Sequence, residues 1–366
     1  MLVPKLRFKR EDGTNYPEWE EKKIGDILTL CHGKDYKHLE NGDIPVMGTG
    51  GVITYVNEAL CDWKCVCIGR KGTIDKPYYM DKPFWSVDTL FYSKPLGNNI
   101  PKFQYYLFQN INWYFFNEAS GVPSLSASTI ENIKSKVPCL EEQHKIADFL
   151  SNVDEVIAQS ETEVQNLEQQ KKAAMQKIFS QEVRFKREDG TEYPEWEETT
   201  IGEYCDILDN LRKPITKKDR EAGIYPYYGS TNIQDYVSGY IFDEPLVLLG
   251  EDAAPFMDFR NKPIAQLATG KYWVNNHAHC LRPHGNVVFF YYSVVHKDIR
   301  EYINNPERAK LNQEDMVKIP VSLPCEEEQQ KIADFLSAYD EAISYAKQEL
   351  DKWKELKKGL LQQMFV

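Results

Sequence analysis

"RFKREDGTNYPEWEE" occupies residues 7–21, and "RFKREDGTEYPEWEE" occupies residues 184–198; the two copies differ only at Asn15 against Glu192. A second pair follows the same logic: "EEQHKIADFLSNVDE" at 141–155 returns as "EEQQKIADFLSAYDE" at 327–341. Between them the echoes are fainter. "IPVMGTGGVITYV" (44–56) matches "YPYYGSTNIQDYV" (225–237) at Pro45/Pro226, Gly48/Gly229, Tyr55/Tyr236 and Val56/Val237, and "CIGR" and "LLGE" share Gly69/Gly250. The offset grows from 177 to 181 to 186 along the unit, so the second copy carries nine extra residues within its variable part. The 366-residue chain is therefore a duplication in which the frame is kept and the filling has diverged.

The frame is helical. Residues 141–179 contain no Gly or Pro, and inward positions fall at Ile146, Leu150, Val153, Ile157, Ser160, Val164, Leu167, Lys171, Ala174 and Ile178. The steps alternate four and three, which is a heptad seam. The second copy gives Ile332, Leu336, Tyr339, Ile343, Ala346, Leu350, Trp353, Lys357, Leu360 and Met364. Glu141 and Glu142, or 326–328, open the helices and lysines close them, as the helix dipole favours. Each helix should run roughly 58 Å at 1.5 Å per residue. A single seam is incomplete, so the two helices are expected to pack on each other, antiparallel because a block and a domain must return between them. Dimerisation between chains is the alternative. With Ile146 opposite Met364, the seam lysines meet acids and the expected pairs are Lys171–Asp340 and Lys357–Asp154. A lysine merely snorkelling from the seam edge is the plainer reading of each.

The filling is different. Residues 22–137 and 199–323 are rich in Tyr, Phe, Val, Ile, Gly and Pro, and read as mixed domains of short strands with a few helices, "KFQYYLFQNINWYFF" (102–116) among them. Both close with a loop, a strand and a proline, in "SLSASTIENIKSKVP" and "KLNQEDMVKIPVSLP". The expected organisation is a linker block at 1–21, a domain at 22–137, a long helix at 138–182, the second block at 183–198, a second domain at 199–323 and a second helix at 324–366.

Charge and cysteine usage narrow the function classes. The net charge of −12 argues against nucleic acid at first sight, since phosphate binding draws on Lys and Arg. Its distribution does not: residues 40–140 hold nine basic and nine acidic side chains, and 205–325 hold 14 and 15, so the acidity belongs to the frame. Eight irregularly spaced cysteines read as reduced thiols of a cytoplasmic protein. No run of eighteen apolar residues suggests a membrane span. The N-terminal "MLVPKLRFKRED" has no apolar signal core, so a secretory leader is not expected.

Motifs that would carry chemistry are missing or weak. "MGTGG" (47–51) lacks the Lys-Ser/Thr of a phosphate loop and reads as a tight turn. "CDWKCVC" (61–67) and "HAHC" (277–280) lack a spaced second ligand pair, so structural thiols are preferred and no metal is expected. "NNHAH" (275–279) offers base-reading side chains, or simply a polar strand. There is no Walker A motif, no HExxH and no "NPP[YF]" tetrapeptide; in "NNPERAK" (304–310) Glu307 stands where the second proline belongs. Catalysis by this chain is not expected.

The twin "EEQ[HQ]KIADFLS" segments after "VP" or "LP", the "YPEWEE" entries, the "P…YYGSTN…DYV" stretch and the "G[RE]" signatures together resemble the specificity subunit of type I restriction–modification systems, over essentially the whole chain. The resemblance implies an α+β fold with pseudo-twofold internal repeat: two mixed target recognition domains separated by two long antiparallel helices forming a coiled coil. It implies a non-catalytic subunit that reads a bipartite, asymmetric sequence in double-stranded DNA and docks two methyltransferase subunits, with restriction subunits in the full assembly. S-adenosylmethionine, ATP and Mg would belong to those partners. Base contacts are then expected around Gly48, Thr49 and Gly50, at Arg70, Lys71 and Thr73, and in the second domain at Gly229, Ser230, Thr231, Asn232, Lys271, Asn275, Asn276 and His277. Partners would supply much of the positive charge that meets phosphate. The rival reading is a non-DNA coiled-coil scaffold presenting two ligand-binding domains. A self-sufficient methyltransferase would need a cofactor site that the motifs do not provide. The repeated block itself, with "YPEWEE" cancelling the charge of "RFKRED", reads as a linker seating each domain on a helix end.

Overall fold

A computed structural model describes residues 4–304 and 309–365, so the first three residues, Glu307 with its immediate neighbours, and Val366 lie outside the described residues. The chain divides into two compact units, Met1–Glu163 with Ala346–Val366, and Val164–Tyr345. Among the described residues, no helix is long and apolar enough to cross a membrane.

The first unit contains strands β1 (Glu20–Lys23), β2 (Leu28–His32), β3 (Ile44–Gly48), β4 (Gly51–Val56), β5 (Cys65–Gly69), β6 (Tyr78–Met80), β7 (Trp85–Ser86), β8 (Leu90–Pro95) and β9 (Lys134–Val137), with helices α1 (Pro101–Gln109) and α2 (Ala127–Asn132). They form an antiparallel sheet β2-β8-β5-β6, a sheet β4-β3-β7 and a ribbon β1-β9. "CVCIG" is buried at every position, as a central strand covered on both faces must be. From the 102–116 stretch the structure builds a helix only to Gln109, capped by Asn110; a 3-10 turn, Trp113–Phe116, follows after Ile111 and Asn112, both poor helix formers. The closing stretch also differs from a plain loop. Ser126 accepts from Thr129 N–H and starts α2 inside it.

The second unit repeats the plan with β10 (Glu197–Thr200), β11 (Cys205–Ile207), β12 (Ala222–Tyr228), β13 (Ile233–Val237), β14 (Phe242–Asp243), β15 (Leu246–Gly250), β16 (Ala265–Ala268), β17 (Lys271–Val274), β18 (Ala278–Pro283) and β19 (Pro320–Leu323). The sheets are β11-β18-β15-β16, β13-β12-β17-β14 and β10-β19. A short helix stands at Gln313–Met316, again where a loop is expected from sequence, and Val287–Val294 is the counterpart of α1, capped by Asn286.

The two long helices run Leu140–Phe179 and Glu326–Met364. The seam positions are the less exposed ones: Ile146, Leu150, Val153, Ile332, Leu336 and Ile343 are buried, and Ile157, Lys171, Tyr339 and Lys357 half-buried. Within the first unit Lys357 Nζ lies 2.7 Å from Asp154 Oδ1 and Lys354 Nζ lies 2.8 Å from Glu161 Oε1, so the helix segments run antiparallel there. Within the second, Lys171 Nζ lies 2.5 Å from Asp340 Oδ1. Both ion pairs required by the register exist. Each acid is shared with a tyrosine of the domain: Tyr106 of α1 donates to Asp154 (2.7 Å), and Tyr292 donates to Asp340 (2.5 Å).

The repeated block owes its identity to a clamp. Arg7 donates through Nε (3.1 Å) and Nη2 (2.8 Å) to Glu142, whose side chain is wholly buried, and also to the Pro17 carbonyl (2.6 Å); Trp19 Nε1 donates to the same carboxylate (3.0 Å). Arg184, Glu328, Pro194 and Trp196 repeat this at 3.3, 2.8, 2.6 and 3.1 Å. The Trp rings finish the joint. Trp19 packs edge-on against Phe103 and Phe365, and Trp196 against Phe179 and Phe289. The next glutamine ties in the domain: Gln143 accepts from Ile100 N–H at the start of α1, and Gln329 accepts from Asn286 N–H. "R…PEW" and "EEQ" are therefore two halves of one buried polar lock in each unit, and every charged group in it is paired.

Candidate nucleic-acid interface

In the first unit, the turn at 49–50 links β3 to β4, and the loop at 70–73 leaves β5. The two meet: Tyr78 OH donates to the Thr49 carbonyl (2.8 Å), and a Cβ built on Gly72 would lie 3.5 Å from Thr49 Oγ1. The 70–73 loop is pinned by Arg70 N–H to Thr89 C=O (2.8 Å), Gly72 N–H to Pro123 C=O (2.9 Å) and Leu125 N–H to Arg70 C=O (2.9 Å). Arg70 and Lys71 are exposed, Thr49 and Thr73 half-exposed, Gly50 exposed and Gly48 buried in the strand. Beside them β4, an edge strand, shows Val52, Ile53 and Tyr55 to solvent. This face joins two cations, small polar groups and exposed apolar side chains. That mixture can meet phosphates and base edges.

The second unit builds the same place from other chemistry. The turn at 229–232 closes with Gly229 N–H to Asn232 C=O (2.8 Å). Ser230 is buried and donates to the Asp252 carbonyl. His277 Nδ1 faces Asp252 Oδ1 at 2.7 Å. Ser230, Gln234, Asp252, Ala253, Ala254, His277 and Ala309 line an open pocket of about 500 Å³. The loop at 251–254 stands at the +181 positions of 70–73. Its Ala253 adopts φ +50°, where Gly72 adopts +102°. A left-handed alanine costs about 1–2 kcal/mol and is the kind of local strain that collects at functional sites. Arg70 and Lys71 are replaced by Glu251 and Asp252, so the loop changes from basic to acidic.

The other expected contact residues of this unit differ in exposure. Asn275 is only 3 % exposed; its Oδ1 accepts from His277 N–H (2.8 Å) and its Nδ2 donates to Gln234 Oε1 (3.2 Å). Lys271 stands at the far end of β17, roughly 13 Å up the strand from Asn275, near Asp243 (3.9 Å) and over the Tyr240 ring. Thr231 is half-exposed and Asn232 exposed on the turn. Asn276 lies in the turn between Asn275 and His277, where its carbonyl is 3.5 Å from Arg212 Nη1.

Among the described residues, one carboxylate–histidine cluster and one close pair of thiols bring metal-type donor atoms together. Asp209, Glu251 and His279 bring ligand atoms within 4.8 Å of one another. Arg212 already bonds Glu251 (2.6 Å) and faces Asp209 (3.3 Å), Lys310 lies 3.1 Å from Glu251, and the two His279 nitrogens face Asp209 and the Leu311 carbonyl. Burial raises the Glu251 pKa, but the hydrogen bonds of Arg212 and Lys310 with the charges of His279 and Arg212 outweigh it, leaving a net lowering. The cluster is a satisfied ion network. Cys61 and Cys65 lie 3.8 Å apart in the core, and the hydrogen bond between them together with burial holds the Cys61 thiol far above its usual range.

The chain matches a family model described as "Type I restriction modification DNA specificity domain" twice, over residues 16–169 and 193–354. A putative type I restriction enzyme specificity subunit of Haemophilus influenzae is 36 % identical over 146 residues, 39 % of this chain and 37 % of that one. A second putative specificity subunit, of Methanocaldococcus jannaschii, is 26 % identical over 97 % of this chain and 94 % of its own. The crystal structure of an S subunit from M. genitalium superimposes with a TM-score of 0.70 at 18 % identity, covering 100 % of this chain and 99 % of that one. A chain of a structure describing complex assembly and conformational transition of the type I R-M system gives 0.56 at 13 % identity, covering 95 % and 97 %.

Proposed function

The chain belongs to the type I restriction–modification DNA specificity family, and from that premise we propose that it is the sequence-reading, non-catalytic subunit of such a complex, each unit reading one half of a bipartite target in double-stranded DNA. The observation that carries this is the double match: two copies of the specificity domain lie in one chain, and each has a loop-lined face beside the edge strand of its own sheet, β4 in one and β13 in the other. A pair of identical readers would select a symmetric site. Basic 70–71 against acidic 251–252 favours an asymmetric one.

In this reading the organisation is that of the repeat: blocks at 1–21 and 183–198, recognition domains at 22–137 and 199–323, and helices at 138–182 and 324–366 that form an antiparallel coiled coil. The helices set the spacing and offer the surface for two methyltransferase subunits and, in the full assembly, restriction subunits. S-adenosylmethionine, ATP and Mg belong to those partners, and the complex works in the cytoplasm. Arg70, Lys71, Thr49 and Thr73 contribute backbone and base contacts from the first unit; Thr231, Asn232 and His277 contribute from the second. The near-neutral domains leave much of the phosphate neutralisation to the partners.

The test is an exchange of residues 22–137 for the corresponding domain of another family member, in a chain co-expressed with its methyltransferase subunits. One half of the methylated sequence should change and the other stay. A change in both halves, or in neither, contradicts modular reading.

A further inference from the structure

Both hairpins at the candidate interface carry a bulge at the same place. In β3–β4 the partners pass from Val46↔Thr54 to Met47↔Val52, which leaves Ile53 as the extra residue. In β12–β13 they pass from Tyr227↔Asp235 to Tyr228↔Ile233, which leaves Gln234. The two residues stand 181 apart, as do Gly48 and Gly229. Each bulge lays its side chain over that glycine: a Cβ on Gly48 would lie 2.8 Å from Ile53 Cδ1, and one on Gly229 would lie 2.7 Å from Gln234 Cδ. Bulges re-aim side chains and recur beside functional sites. Both residues are nonetheless exposed, Ile53 at 53 %.

The residue behind each one matches it in kind. Met47 pairs in parallel with Ser86, and Tyr228 with Val274, so Val87 and Asn275 follow at equivalent points. Val87 Cγ2 lies 3.7 Å from the Cβ built on Gly48, the same point that Ile53 Cδ1 approaches to 2.8 Å, so two aliphatic side chains converge over this glycine. Asn275, buried, donates to Gln234 Oε1 (3.2 Å), making an amide pair that fixes which way the Gln234 amide faces. One backbone device thus holds two different side-chain chemistries.

We propose that Ile53 and Gln234 are the specificity-determining side chains of the two units. Ile53 packs on a thymine methyl, and Gln234 presents its amide to the N6/N7 edge of adenine, with Asn275 as its positioning residue. The geometry suits both assignments: an aliphatic tip recognises the C5 methyl, and a glutamine amide with one free oxygen lone pair and its NH₂ pairs with adenine in the major groove. This rests on the DNA-reading assignment above.

The test compares Ile53→Ala and Gln234→Ala with wild type. Each full chain, in complex with its methyltransferase subunits, selects from duplexes randomised across both half-sites, and its melting temperature is measured alongside. Gln234→Ala should lose roughly tenfold to a hundredfold of preference at one A·T pair in one half-site, and leave the other half intact. Ile53→Ala should relax one A·T position in the other half-site. If either variant keeps every wild-type preference, or loses affinity evenly over all sequences, the assignment of that residue is overturned while the DNA-reading assignment stands. If the wild-type complex selects no sequence, that underlying assignment itself fails.

Discussion

Replacing Arg7 by Ala isolates the lock that the repeated block provides. Arg7 spends two donors on Glu142 and one on the Pro17 carbonyl, while the Glu142 side chain has no solvent exposure. Without the guanidinium, the carboxylate keeps, among the described residues, only the Trp19 indole N–H as a side-chain donor. Leaving one member of a buried ion pair unpartnered costs about 3–5 kcal/mol. For a unit of this size that lowers the unfolding midpoint by roughly 6–20 °C. The loss is read from urea and thermal unfolding of the full chain followed by intrinsic fluorescence, to which Trp19, one of seven tryptophans, contributes. Arg184→Ala is an internal replicate, because the equivalent distances agree within 0.2 Å. Its loss should be of the same size and fall on the other unit. The double variant Arg7→Met/Glu142→Gln, which removes the charge and keeps an acceptor for Trp19, should recover more than half of the deficit. A loss below about 1 kcal/mol for both single variants, the range of an exposed pair, would refute the buried-lock account.

Three further outcomes are expected. Tyr106→Phe and Tyr292→Phe each remove a hydroxyl donor from a charged acid, and should each lower stability by about 1.5–3 kcal/mol in denaturant titrations; no change in either would show the hydroxyl to be idle. Gly69→Ala should destabilise by at least about 1–3 kcal/mol, because its Cβ would enter the backbone carbonyl of Thr73, which cannot move aside as a side chain does; a stable variant measured by thermal melting would contradict this packing. Glu251 has a folded pKa below its ordinary 4.5, so it stabilises above that value and the contribution is lost as pH falls through the depressed folded value. Glu251→Gln should therefore melt well below wild type at pH 7, with the gap closing below about pH 4.5; a gap constant down to pH 3 would contradict the sign.

The duplication, the heptad seam and both lysine–aspartate pairs were legible because they are periodic or repeated, and a register argument needs little else. Glu142 shows the limit. Its position at a helix start suits the dipole, but nothing local says that the side chain is buried and answers Arg7 135 residues away. The short helix at Ala127–Asn132 was hidden in a Ser-rich stretch that looks like loop until Ser126 is seen to cap it. At the candidate interface the glycines fall at turns, as their composition suggests, while the burial of Ser230 and Asn275 depends on partners that no local pattern announces. Ile53 and Gln234 left no mark of their own, since a one-residue shift of register has no compositional signature. The signal available was the constant offset of 181: positions kept in frame whose chemistry differs.

The most direct test of the central claim is a genome-wide map of methylated adenines in cells expressing this chain with its methyltransferase subunits, against cells lacking the chain. One asymmetric motif in two specified blocks, separated by a spacer of fixed length and free sequence, is expected to appear only when the chain is present. Methylation that does not depend on the chain, or that falls on a continuous symmetric site, would contradict it.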